Sequence, residues 1–281
     1  MEIIILPNAV DVGRFAAAKV AAIVSEKPSA VIGLATGSSP RVIYADLRRR
    51  VDAQEISFSL ARGFALDEYV GIPLDHPESY ASVIGREVVE PLGFDPANVR
   101  VPDGRAADLD AAAGEFEAAI AAAGGIDLQI LGIGANGHLG FNEPTSSFAS
   151  RTRIKTLAPR TRQDNARFFD SLDDVPTHCV TQGLGTILDA REVVLVAQGP
   201  AKADAIAAAV EGPLSSFVPA SVLQLHAHAT VVVDEESAAN LKLSDYYRYT
   251  FAHKPCGPRH SLAPALPASA QPWQPDPPVG R

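Results

Sequence analysis

The chain is poor in cysteine, in basic residues and in long apolar runs, and each scarcity removes a class of protein. Cys179 and Cys256 could close at most one bridge, and nothing around them has metal-ligand spacing, so they read as ordinary reduced thiols and imply no metal. No apolar run approaches the roughly 18 to 20 residues that a spanning helix needs, which argues against a membrane partner. The opening MEIIILPNAVD carries Glu2 where a signal peptide would carry a positive charge, so the expected location is the cytoplasm. Basic residues are also in deficit: Lys and Arg number 24 against 33 Asp and Glu, a formal charge of −9. That field repels polyanions and excludes a non-specific nucleic-acid role. It leaves room for small phosphorylated ligands, because local cations and backbone amides outweigh distant charge within a Debye length of about 8 Å.

Apolar residues at 47% and charged residues at 20% suit a water-soluble globule with a sizeable core. Short β-branched runs at 2–6, 30–35, 63–66, 127–133, 193–197 and 230–233 read as buried strands. Alanine-rich periodic segments at 12–25, 42–51, 79–89, 109–123, 177–187, 202–210 and 235–241 read as helices. The alternation predicts an α/β fold, a doubly wound, mostly parallel sheet with helices on both faces. A single α/β catalytic domain is expected over 1–250. From 251 to 281 the composition turns proline-rich and aperiodic, which reads as a disordered tail, with Trp273 as its one bulky anchor should it dock on a partner.

In doubly wound sheets ligands sit beyond the carboxyl ends of the strands, so the strand exits are where chemistry is sought. Three stand out. LATGSSPRVIY places Thr36, Gly37, Ser38 and Ser39 between a strand and a helix, a combination of tight turn, helix N-terminus and hydroxyls that suits a phosphate monoester. Ser39 before Pro40 also reads as an ordinary N-cap with proline at the first helical position. FALDEYVGIPLDHPESY delivers Asp67 and Glu68 at the end of an apolar strand, where partial desolvation raises a carboxyl pKa toward the range of a general base; Asp67 reads equally as a turn cap. LGIGANGHLGFNEP sets His138 among four glycines, with Glu143 five residues on to hold one imidazole nitrogen while the other faces substrate. GIGANG has the spacing of a dinucleotide fingerprint but runs on into histidine and proline instead of a helix.

Together, LATGSSP, LDEYVGIPLDHPESY, GIGANGHLGFNEP, SRTRIKTLAPRTRQDNARFF and AVEGPLSSFVPASVLQLH closely resemble the glucosamine-6-phosphate deaminase (isomerase) family, in order, from about residue 34 to about residue 241. The resemblance implies a Rossmann-like sugar-phosphate isomerase fold and conversion of glucosamine 6-phosphate and water to fructose 6-phosphate and ammonia, in amino sugar breakdown, with no cofactor. It implies that His138 moves a proton at the ring oxygen, that Glu143 orients the imidazole, and that Asp67 carries the proton from C2 to C1. Thr36, Gly37, Ser38, Ser39, Arg167 and Lys202 would hold the substrate phosphate; apart from the resemblance, Arg167 and Lys202 read as solvated surface cations.

Two departures stand beside it. The family often places an aspartate two residues before the histidine, where this chain has Asn136, which keeps hydrogen bonding but loses charge. The proline-rich tail matches nothing. Some members are hexamers activated by N-acetylglucosamine 6-phosphate at a subunit interface, which implies a homo-oligomer here and a second phosphate site at Ser146, Arg153, Lys155 and Thr156; that block also reads as a solvated basic loop. By simple counting the effector site's C-terminal tyrosine falls near Arg248, amid Tyr246, Tyr247 and Tyr249. The rival readings are a 6-phosphogluconolactonase-like hydrolase, which needs no carbon base, and a non-catalytic sugar-phosphate sensor, for which no DNA-binding element is evident.

Overall fold

Seven strands lie side by side, the inner ones because their sequences are apolar on both faces, which a parallel sheet covered by helices requires. In the computed structural model, which describes residues 1–254, these strands are β1 (Glu2–Leu6), β2 (Val31–Leu34), β3 (Arg62–Ala65), β5 (Val99–Arg100), β6 (Leu128–Leu131), β9 (Glu192–Ala197) and β10 (Ala229–Asp234). Their order is β1-β10-β9-β6-β2-β3-β5, and every pairing is parallel. The expected α/β fold is therefore present. β2 lies beside both β3 and β6, so three of the loops that carry chemistry leave the same edge of the sheet from adjacent strands.

A second sheet was not legible in the sequence. β4 (Asp67–Tyr69), β7 (Arg153–Thr156) and β8 (His178–Thr181) form an antiparallel layer in the order β4-β8-β7, with Asp67 opposite Thr181. The chain steps between sheets at Leu66, whose N–H donates to Leu34 in the first sheet while its carbonyl accepts from Gln182 at the edge of the second. The helix expected over 177–187 is thus corrected. Its first part is β8, where buried Cys179, Val180 and Thr181 pair with strands on both sides, and helix begins only after Gly183, over Leu184–Leu188. Gly183 tolerates no side chain, since a Cβ there would lie 2.0 Å from the Ser150 carbonyl oxygen.

The helix expected over 235–241 is also corrected: the segment is a run of turns, because the Asp234 carboxylate accepts from Ser237 N and Oγ and from Gly199 N. The helix lies further on, at Ser244–Ala252, and buried Phe251 packs edge-on against Phe15, so the change of composition at 251 falls inside an ordered element. The proline-rich segment from 255, with Cys256 and Trp273, lies outside the described residues. Among those residues no helix is long and apolar enough to cross a membrane.

Two glycines calibrate the packing. Gly13, in the helix Ala9–Glu26, faces the backbone of the helix Ser38–Asp52, and a Cβ would come 2.4 Å from the Val42 carbonyl oxygen. Gly114, in the helix Leu109–Ala122, meets nothing within 4 Å. Replacing a helical glycine by alanine ordinarily stabilises by about 1 kcal/mol. Gly114→Ala should therefore raise the unfolding free energy by about 0.5–1 kcal/mol in a urea titration, while Gly13→Ala should lower it by about 1–3 kcal/mol through overpacking.

Candidate active site

The exits of β2, β3 and β6 open on one cavity of about 500 Å³. Thr36, Gly37, Ser38, Ser39, Asp67, His138, Gly140, Arg167 and Lys202 all line it. Every residue expected to touch substrate lines this one space.

The phosphate-loop candidate is built by the end of β2. Gly37, at φ +99°, turns the chain into the helix Ser38–Asp52 and caps it with no side-chain acceptor, so the first-turn amides keep no side-chain partner. The helix starts ahead of Ser39, which corrects the reading of Ser39 as its N-cap. Lys202 stands in a turn after β9, donates from Nζ to the Ile133 carbonyl at 2.7 Å, and has its ammonium pKa lowered, first by burial and then by Arg167, with Asp164 opposing. Arg167, in the short helical turn Ala166–Phe168, lies with its guanidinium carbon 4.6 Å from the Phe168 ring centroid.

Asp67 is 5% exposed and its side chain makes no hydrogen bond. Burial, with the neighbouring Glu68 charge second, pushes its carboxyl up to about 8. Glu68 has a different task. Its oxygens accept from the amides of Tyr69, Tyr80 and Ala81, so it anchors the start of the helix Tyr80–Ile84 to β4. Gly140, at φ +55°, closes over Asp67; a Cβ there would lie 3.2 Å from Asp67 Oδ2 and 3.0 Å from Thr181 Oγ1. This position explains the glycine: only bare backbone passes between the carboxylate and β8. Gly134 serves the imidazole in the same way, since a Cβ would fall 2.2 Å from His138 Cε1.

Asn136 and Glu143 stand behind His138 and not on the cavity wall. Asn136 Oδ1 accepts from the His138 amide at 3.2 Å, and its Nδ2 donates to Glu143 Oε2 at 2.7 Å. Glu143 Oε1 accepts from the Ala158 amide at 3.1 Å and from Thr161 Oγ1 at 2.5 Å. Burial opposes ionisation of Glu143, but His138, Thr161 and Asn136 outweigh it and hold the carboxyl at about 2. His138 Nδ1 lies 3.7 Å from Glu143 Oε2, within ion-pairing reach but too long for a hydrogen bond, and has no hydrogen-bond partner.

The basic block is elsewhere. Arg153, Lys155 and Thr156 lie on β7, which among the described residues is an edge strand paired with β8, and none of them lines the cavity. Burial lowers the Arg153 pKa. Ser146 is buried, and its hydroxyl donates to the Glu143 carbonyl at 2.7 Å. The sequence reading passed over Tyr69 and Tyr80, whose hydroxyls meet at 3.3 Å, and over Thr161, although all three stand in the stretches quoted above. Among the described residues Cys179 is free and buried.

The family model for glucosamine-6-phosphate isomerases/6-phosphogluconolactonase matches residues 8–232. The chain belongs to that family. A glucosamine-6-phosphate deaminase from Pseudarthrobacter chlorophenolicus is 58% identical over 255 residues, 91% of this chain and 98% of the relative, and one from Streptomyces coelicolor is 56% identical over 256 residues, again 91% and 98%. A solved structure of a monomeric glucosamine-6-phosphate deaminase superposes with a TM-score of 0.84 at 39% identity, covering 85% of this chain and 100% of the other. A 6-phosphogluconolactonase from Trypanosoma cruzi shares the fold, with a TM-score of 0.70 at 21% identity, over 86% of this chain and 97% of the other.

The Asp67 carboxyl has a thermodynamic signature. Its folded-state pKa of about 8 lies above the reference value of 3.8, so between those values the native protein keeps a proton that the unfolded chain has lost, and stability falls as pH rises through that window. Asp67→Asn should flatten this fall and be the more stable protein at about pH 8, by on the order of a few kcal/mol, with little difference at about pH 4. Urea titrations of both proteins at the two pH values check it.

Proposed function

We propose that this chain converts glucosamine 6-phosphate and water to fructose 6-phosphate and ammonia, as its 55–58% identical relatives are named for doing. The observation that carries the reading is the buried, elevated Asp67 carboxyl facing the same cavity as His138 and the Thr36–Ser39 loop. Lactone hydrolysis needs no carbon base, so a carboxyl placed and tuned in this way favours isomerisation over the lactonase reading.

The phosphate sits against Thr36, Gly37, Ser38 and Ser39, with Arg167 as a fork and Lys202 as a point charge. His138 moves a proton at the ring oxygen to open the pyranose, with Glu143 and Asn136 behind it. Asp67, as carboxylate, takes the C2 proton of the open-chain aldehyde to give an enolamine. It returns a proton to C1, leaving a C2 ketimine that water hydrolyses to the ketone and ammonia. A pKa near 8 suits the shuttle, because the group must accept and release a proton at nearly equal cost. The substrate's own ammonium stabilises the charged carboxylate, so binding moves Asp67 toward its base form.

A cytoplasmic location, a place in N-acetylglucosamine breakdown, and a homo-oligomer with N-acetylglucosamine 6-phosphate as effector complete the proposal. The two cations Arg153 and Lys155, two residues apart on β7 and so on one face of it, support a second anionic site, with Ser146 touching Glu143 from within. The monomeric state of the 39% identical solved relative weighs against an obligatory oligomer.

Wild-type protein should release ammonia and fructose 6-phosphate in equal amounts. Asp67→Asn should lose at least about 10³-fold in kcat, and the wild-type kcat/KM should rise with pH toward about 8 as the free carboxyl ionises. Turnover that persists in Asp67→Asn contradicts the assignment. For the effector site, a sigmoidal saturation curve made hyperbolic by the acetylated sugar phosphate is expected; an already hyperbolic curve, indifferent to it, removes the site and leaves the catalytic reading intact.

A further inference from the structure

Glu143 is held by two different parts of the molecule. Its Oε2 belongs to the glycine-rich loop, through Asn136 Nδ2 at 2.7 Å. Its Oε1 belongs to the segment after β7, through the Thr161 hydroxyl at 2.5 Å and the Ala158 amide at 3.1 Å. Thr161 is 3% exposed and is a buried residue of the helix Pro159–Asn165, which continues directly into the turn bearing Arg167. The same helix reaches the cavity, where Asn165 Nδ2 donates to the Tyr69 hydroxyl at 3.1 Å. One continuous stretch therefore carries a cation of the cavity lining and the donor that holds the carboxylate behind the imidazole.

The His138–Glu143 distance gives this connection a consequence. Nδ1 is buried, lacks a hydrogen-bond partner and stands 3.7 Å from Oε2. A carboxylate pinned at Oε1 can bring Oε2 toward Nδ1 only by rotating about that pinned oxygen or by moving with the helix that pins it. We propose that Thr161 is a positioning residue: it fixes the Glu143 carboxylate against His138 and ties the ring-opening pair to the segment that grips the substrate phosphate. The inference rests on the function proposed above and adds to it a physical link between the two ends of the substrate. Loss of the hydroxyl leaves Oε1 one charge-assisted hydrogen bond short and lets the carboxylate turn away from the imidazole, while the phosphate contacts stay in place.

Steady-state kinetics on glucosamine 6-phosphate decide it, with Thr161→Val, Thr161→Ser, Glu143→Gln and the Thr161→Val/Glu143→Gln double variant measured beside the wild type. Thr161→Val should lose about 10- to 100-fold in kcat, the range set by one lost hydrogen bond to a charged group, with KM changed less than about threefold. Thr161→Ser, which keeps the hydroxyl, should restore most of kcat. The double variant should lose no more than Glu143→Gln alone, because both changes act through one carboxylate. A Thr161→Val protein with wild-type kcat, a serine variant as impaired as the valine one, or additive losses in the double variant would each overturn the proposal. Should Thr161→Val fold poorly in a melting experiment, Thr161→Ala carries the same expectation and the same refutations. A wild type that releases no ammonia defeats the functional reading itself, an outcome distinct from a wild type that turns over and ignores Thr161.

Discussion

The burial of one carboxyl at the step between two sheets is the constraint on which the rest of the site depends. Asp67 is the first residue of β4, closed in by Leu66 before it, Thr181 across the ladder and the bare backbone of Gly140. Removing water from a carboxylate disfavours its charge, and the Glu68 beside it adds repulsion, so the proton is held to about 8. Glu68, one residue on and just as deep, is also raised by burial, but three backbone amides oppose that shift and fasten its carboxyl as a structural anchor. Two adjacent carboxyls thus differ in the donors within reach, the second being fastened by three amides.

Around this group each element supplies one thing. The parallel sheet aligns three strand exits, the antiparallel layer carries Asp67, and glycines remove the side chains that would otherwise fill the approach. The opposite tuning of Glu143, held at about 2 by His138, Thr161 and Asn136 against its burial, keeps a permanent negative charge behind the imidazole. One carboxyl poised to gain and lose a proton faces a histidine backed by another that stays ionised. That division of labour is the arrangement general acid–base chemistry requires. Asn136 fits it. An amide donates to Glu143 and accepts from the His138 backbone at once, whereas an ionised aspartate could not donate to Glu143.

What the sequence disclosed followed from which interactions are local. β1, β2, β3, β6, β9 and β10 announce themselves through unbroken apolar runs, and the strand-exit loops through glycine next to titratable groups. β4, β7 and β8 do not, since strands of three or four residues with mixed polarity acquire their form from pairing partners more than 20 residues away in the chain. Thr177 to Ile187 reads as a helix because its propensities are ambiguous; the close approach of Ser150 to bare Gly183 and the pairing of β8 on both sides, both tertiary facts, decide it. Thr161 was silent for the same reason. A threonine in a helix carries no signal of the carboxylate 18 residues upstream that its hydroxyl reaches. The loop after β2 is legible in outline, but its helix starts at Ser38, one residue ahead of the expected Ser39 cap, because Gly37 turns the chain at φ +99°.

The most direct test is a titration of the Asp67 carboxyl itself, by carbon NMR on protein labelled at the aspartate carboxyl carbon, with the resonance assigned by its disappearance in Asp67→Asn. A midpoint near 8 is the predicted result. A midpoint near the ordinary value of about 4 would mean that water reaches the group in the folded protein, and the account of burial as the source of its basicity would be wrong.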